Sequence, residues 1–200
     1  MKTKPAKIVG IVSYLAGLIM IVAGVATWAV VSVNLNEQRI TVAADSPMLA
    51  GATVGDPFTA YAQAQIINTH AEHATDGKTY AELGSEQAQV RAEAEAAGIK
   101  DITLTDPAVV VQDQAASPQY TELKNRYQAL TAQRTTAMNA SFLRASLFTS
   151  VVAYGVAALV VALGIWALLV GWALRGLASA PAPAVVRPAT DTAAEDAGAV

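Results

Sequence analysis

The sequence predicts a mainly α membrane protein, with two transmembrane helices folded as an antiparallel hairpin and a small, mostly helical extracytoplasmic domain between them. Three observations lead there. Apolar residues are concentrated in two runs, Ile8 to Val33 and Leu147 to Leu174, with no Asp, Glu, Lys, Arg or His in either. Small residues recur every seven positions in both runs. The stretch between them carries the caps and breaks of short helices rather than sustained alternation.

The two runs contain 26 and 28 residues, each longer than the roughly 20 that a helix needs to cross the hydrocarbon core. A helix satisfies all its own backbone groups where no water is at hand, so both runs are expected as transmembrane helices. The whole chain is 54% hydrophobic and 14% charged, against roughly a quarter charged in an ordinary soluble mixture. Lys2, Lys4 and Lys7 resemble the basic start of a cleaved signal, but an apolar signal region runs to only about 7 to 15 residues. No small-x-small cleavage pattern closes the first run in "VVSVNLN", so an uncleaved anchor is expected.

Three lysines before the first run, against Arg39 alone in the fifteen residues after it, place the N-terminus in the cytoplasm, and two crossings return the C-terminus there. The expected organisation is a cytoplasmic N-terminus at 1–7, a first span at 8–33 and an extracytoplasmic domain at 34–146. A second span at 147–174 and a disordered cytoplasmic tail at 175–200 follow. Such a chain is a two-pass plasma-membrane protein. The tail, "LASAPAPAVVRPATDTAAEDAGAV", is rich in alanine and proline and lacks aromatic residues, a composition that buries too little to fold.

Within the outer segment, Arg39 to Ala43 reads as a short strand and "PMLAGATVGDP" as loop. Asp56 followed by Pro57 is a helix start, a capping side chain before a residue whose missing N–H costs nothing at the first position. That helix should run through "PFTAYAQAQIINTHAEHA" and stop before Asp76-Gly77. A second is expected from about Ser85 to Ala97, closed by Gly98. Ile99 to Gln112 mixes β-branched residues with Asp106-Pro107 and is compatible with strand or loop. Ser117-Pro118 starts a last helix, expected to run unbroken from Pro118 to about Leu174.

The recurring small residues are Gly10, Gly17 and Gly24 in the first run and Ala157, Gly164 and Gly171 in the second. Helices in lipid gain little from mutual hydrophobicity, and small residues matter because they let backbones approach. A spacing of seven keeps such residues on one seam of a left-handed crossing. In an antiparallel pair, residues at equal depth have position numbers with a constant sum, and the pairs 10/171, 17/164 and 24/157 all add to 181. Ser13, Met20 and Thr27 then fill between the glycines. The plain alternative is that glycine and alanine are simply common in membrane helices.

Chemistry-bearing residues are few. His70 and His73 form "HAEH", share a helical face, and with Glu72 or Asp76 are weak candidates for a two-histidine metal site; their plainer role is to extend the Phe58, Ala62, Ile66 face or to be solvated. No catalytic residue and no cofactor is expected. The outer segment holds eight basic and thirteen acidic residues, a net charge of −5, which argues against nucleic acid as a partner. The chain has no cysteine, excluding disulfide bracing and thiolate chemistry. Neither span carries a charged residue, as a proton relay or ion pathway would. Trp28 and Trp172 lie near opposite ends of their spans, as interface anchors do, while Trp166 should face lipid or a partner. Tyr61, Tyr80, Tyr120 and Tyr127 should pack the outer domain. Asn139-Ala-Ser141 fits the N-glycosylation pattern but abuts the membrane.

Three stretches, "DPFTAYAQAQIINTHA" at 56–71, "DGKTYAEL" at 76–83 and "TAMNASFLRASLFTSVVAYGVAAL" at 136–159, resemble a family of actinobacterial membrane proteins described as aromatic ring-opening dioxygenases of the protocatechuate small-subunit type. With the similar first helix, the likeness covers about two thirds of the chain. The resemblance implies a two-pass actinobacterial plasma-membrane protein and brings no catalytic site with it.

From the residues, the expected function is that of a non-enzymatic accessory or scaffold component of a membrane or cell-envelope assembly. Its partners would be the lipid bilayer and a larger membrane assembly or further copies of itself. An extracytoplasmic ligand sensor is the first alternative, and the ring-opening dioxygenase implied by the resemblance is the second.

Overall fold

A computed structural model describes residues 4–103 and 107–179. Of the disordered tail expected at 175–200, residues 175–179 are instead the last residues of a helix, and the remainder lies outside the described residues. Five helices make up the described chain: α1 (Lys4–Glu37), α2 (Pro57–Ala74), α3 (Tyr80–Ala96), α4 (Pro107–Ala116) and α5 (Tyr120–Ser179). The two apolar runs lie within α1 and α5, and α5 is continuous over 60 residues.

The stretch expected as a strand at Arg39–Ala43 makes only an isolated antiparallel bridge, Thr41 to Thr53. Two residues of pairing cannot build a ladder. The bridge nonetheless closes the loop, with the Val42 N–H donating to the Ala52 carbonyl at 2.8 Å and the Val54 N–H to Ile40 at 2.9 Å. The α2 helix starts where its caps require. Asp56 accepts from the Phe58 and Thr59 N–H groups, Thr59 Oγ1 accepts in return from the Asp56 N–H, and Pro57 occupies the first turn. It ends in a turn with Asp76 and Gly77 at φ +53° and +73°.

The α3 helix begins at Tyr80, five residues ahead of the expected Ser85. Thr79 and Glu82 form a reciprocal capping box, in which the Glu82 carboxylate accepts from the Thr79 N–H at 2.7 Å. Those bonds, the backbone one foremost, hold the Glu82 carboxyl below its ordinary range. Gly84, a breaker by propensity, is carried inside the helix against the Arg134 guanidinium. The helix ends on Gly98 at φ +81°, with the Ile99 N–H returning to the Ala94 carbonyl. The undecided stretch 99–112 is a turn followed by α4. Asp113, 1% exposed, joins the two by accepting from the Lys100 N–H at 3.1 Å.

The chain divides into two compact units, Met1–Met20 with Leu163–Val200, and Ile21–Ala162. In the first, the described chain is the beginning of α1 and the end of α5. The second has two buried clusters. One joins Leu35, Val42, Val54, Ala60, Ala62 and Ala64 to Leu147 and Tyr154 of α5. The other joins Val90 and Ala94 of α3, Ile99 and Ile102 of the turn, and Tyr120 and Leu123 of α5. Burial there pushes the Tyr120 phenol above its ordinary range, with the Asp113 charge adding to it. Leu147 and Tyr154, assigned by hydropathy to the second span, are therefore core residues shared with the loop and α2.

Candidate functional site

The small residues of the two apolar helices meet one another. Gly10, Gly17, Gly24, Ala157, Gly164 and Gly171 are all buried, while their helical neighbours Ile8, Val9, Leu18, Ile19, Leu163 and Ile165 are exposed. In the first unit, a Cβ built on Gly17 would stand 2.6 Å from the Gly164 carbonyl oxygen and 2.9 Å from the Leu168 nitrogen. One on Gly171 would stand 2.7 Å from the Gly10 oxygen and 2.9 Å from the Tyr14 nitrogen. In the second unit, one on Gly24 would stand 2.7 Å from Val161 Cγ2 and 2.8 Å from the Ala157 oxygen. The obstructing atoms are mostly backbone, which cannot swing aside as a side-chain tip can. By contrast, a Cβ on Gly155 would meet nothing within 4 Å, so the close approach belongs to the seven-residue stripe and not to glycine in general.

A second node lies within the Ile21–Ala162 unit, and sequence reasoning did not find it. Tyr154, 1% exposed, packs its ring against Trp28 edge-on, with centroids 4.6 Å apart. Its hydroxyl donates to the Gly55 carbonyl at 2.9 Å. A phenol has one proton, so the 2.8 Å contact with Ser32 Oγ is then donated by the serine. Asn36 closes the node from above, its amide 2.6 Å from where a Gly55 Cβ would be, and donates to the Ser32 carbonyl. Nothing local in the sequence marks a bond between residues 99 apart.

A third polar cluster fixes α3 to α5. Gln87, 6% exposed, donates to Thr131 Oγ1 at 2.7 Å and accepts from Arg134 Nη1 at 2.6 Å. The Arg134 guanidinium also lies 4.0 Å from the Tyr80 ring centroid. Held by Gln87 and Tyr80 and set against Gly84, this guanidinium is a structural bracket.

The weak metal candidates His70 and His73 lie near the end of α2, and the structure engages His70 elsewhere. Its Nε2 donates to Asp45 Oδ2 at 2.7 Å. That bond, before any other influence, holds the Asp45 carboxyl below its ordinary range. Glu72 accepts from the Asn68 amide at 2.6 Å. Among the described residues no group of three metal-capable side chains comes together. Trp166 and Trp172 are exposed at 65% and 73%. The expected packing tyrosines divide: Tyr120 is buried, whereas Tyr61 and Tyr80 are partly exposed and engage Phe148 and Arg134 through their rings.

No family model, curated protein or solved structure matches the chain.

Proposed function

We propose that the chain is a non-enzymatic, two-pass integral membrane protein of the plasma membrane, with both termini in the cytoplasm, acting as an accessory or scaffold component of a membrane or envelope assembly. One observation carries this reading. The most apolar 18-residue window of each long helix is only 17% buried within the chain. A helix that is apolar all round must be covered by something. Valine, isoleucine and leucine left in water at that density would cost about 25 cal/mol for each Å², far more than a small domain's net stability. Lipid removes that cost without any contact from the rest of the chain.

The glycine stripe supports an antiparallel hairpin as the form the spans take in lipid. Where hydrophobicity cannot hold helices together, backbone approach and packing can. The lack of Asp, Glu, Lys, Arg and His in both spans favours an anchoring and organising role over transport, and the net −5 outer segment directs no nucleic acid to it.

The test begins with carbonate-washed membranes, in which the intact chain should stay with the pellet. Ser13→Cys with Leu168→Cys, in a chain with no other cysteine, should then crosslink within one chain under mild oxidation. Crosslinking only between chains would reassign the stripe to a dimer. Native electrophoresis in mild detergent should show a particle larger than one chain in its micelle, and a lone monomer in every detergent would remove the scaffold role.

A further inference from the structure

The apolar runs are longer than a bilayer. At about 1.5 Å per residue, the 28-residue run of α5 extends roughly 42 Å, and a hydrocarbon core of about 30 Å takes only some 20 residues. A tilt of about 20° still leaves the run several ångströms too long. Charge fixes where the inner edge must lie, because Lys7 and Arg175 immediately bound the two runs. Twenty residues outward from those edges end at Thr27 in α1 and Gly155 in α5. The next residue outward in each helix is an aromatic one, Trp28 and Tyr154, and their rings touch.

The surplus beyond that point is chemically distinct from the rest of the runs. It contains Ser32 in α1 and Thr149 and Ser150 in α5, whose hydroxyls bond back to Ala145 and Ser146. It is also covered by protein on one side, because Leu147, Val151 and Tyr154 pack with Val42, Val54 and the first turns of α2. The bond from Tyr154 to Gly55 fixes the loop at the level of the aromatic pair. Ser46 to Gly55 contains no charged residue. The large side chains this segment turns outward are apolar: Met48 and Leu49 are each 47% exposed, and Phe58 in the first turn of α2 is 72% exposed, with the small polar Thr53 exposed beside them.

From these placements we propose that the segment Ser46–Phe58 rests in the outer lipid interface, with Met48, Leu49 and Phe58 inserted as an apolar fringe. The hydrocarbon boundary then falls at Trp28 and Tyr154 rather than at Val33 and Leu147. The occupant of the fringe is lipid. The Tyr154–Gly55 bond ties this segment to α5 at the aromatic pair, where the boundary falls, and insertion to a depth of about 5–10 Å is usual for interfacial apolar side chains. The outer segment's net −5 charge makes this docking apolar and not electrostatic, so zwitterionic lipid suffices.

The inference rests on the membrane reading above, and one experiment separates the two. Single cysteines are placed by Met48→Cys, Phe58→Cys, Ile165→Cys and, on the exposed side of α3, Gln89→Cys; each is spin-labelled, and the full chain is reconstituted in phosphatidylcholine vesicles. Collision with dissolved oxygen relative to a water-soluble nickel chelate reports depth. At 48 and 58 the ratio should exceed that at 89 several-fold and approach the value at 165. Replacing a third of the lipid by anionic phosphatidylglycerol should not raise it. Water access at 165 would defeat the membrane reading itself. A dry 165 with 48 and 58 as wet as 89 would overturn the interfacial fringe alone. So would dipolar broadening at 58 that dilution with unlabelled chain removes, since the fringe would then cover a second copy.

Discussion

The seam of the apolar helices and the far cluster of the outer segment hold together by opposite means. Around Val90, Ala94, Ile99, Ile102, Tyr120 and Leu123, large side chains meet because water expels them, and stability grows with the apolar area they bury. Along Gly10, Gly17, Gly24, Ala157, Gly164 and Gly171, the buried residues are the smallest available. There the gain comes from how closely two backbones approach, and any added side chain is an obstacle. The same operation, enlarging or shrinking a buried side chain, should therefore have opposite consequences in the two regions. On the membrane reading proposed above, the difference teaches that burial means area where the surrounding solvent is water, and means proximity where it is lipid.

The largest effect should come from emptying the far cluster. Ile99→Ala should cost about 2–5 kcal/mol, the usual range for a fully buried isoleucine. Hydrogen exchange should read the loss as faster opening of α3 and α4, with the Ser13/Leu168 crosslink unchanged. A fall in that crosslink would mean the two regions are coupled. Next in size is Gly17→Leu, which should cost about 1–3 kcal/mol by overpacking and lower the crosslink yield without altering α3 or α4. The matched Gly155→Leu, where a side chain meets open space, should stay within about 0.5 kcal/mol. Equal damage at both glycines would show that helix propensity and not proximity sets the seam.

The smallest effect belongs to the exposed His70–Asp45 contact, which uses neither device. His70→Ala should leave the unfolding midpoint at neutral pH unchanged while raising the Asp45 carboxyl toward, though not fully to, its ordinary range of about 3.9, because a backbone hydrogen bond still lowers it, as read by carboxyl carbon NMR. The sign follows from the lowered value. Whatever the contact contributes is fully present above the ordinary carboxylate range and is lost as pH falls through the lowered one.

How much of this was legible depended on how far apart the cooperating residues lie. Asp56-Pro57 and the Asp76-Gly77 break bounded α2 correctly, because a cap, a first-turn proline and a positive-φ glycine act within a few residues. The α3 helix starts at Tyr80 and not at Ser85 because Thr79 and Glu82 form a capping box ahead of Gly84, a local pattern the expected boundary missed. What keeps Gly84 helical is the helix around it and the Arg134 side chain beside it, far along the chain. The strand-like Arg39–Ala43 had β-branched residues but no partner long enough to make a ladder. The small-residue stripe was legible because its period is regular. The Tyr154 node was not, since hydropathy ranks a tyrosine among apolar neighbours as part of a span and is silent about a carbonyl 99 residues earlier.

The seven-residue stripe also dictates how this sequence is free to drift. At positions such as Ile19, Val22 or Ile165, all outward-facing, one oily residue replaces another at little cost, so these faces can wander through valine, leucine and phenylalanine over time. Gly17, Gly24 and Gly171 have almost no such latitude, because even a methyl group there comes within 3.0 Å of main chain. Selection on these two helices is thus concentrated into a thin line of near-immutable sites running through otherwise permissive ground.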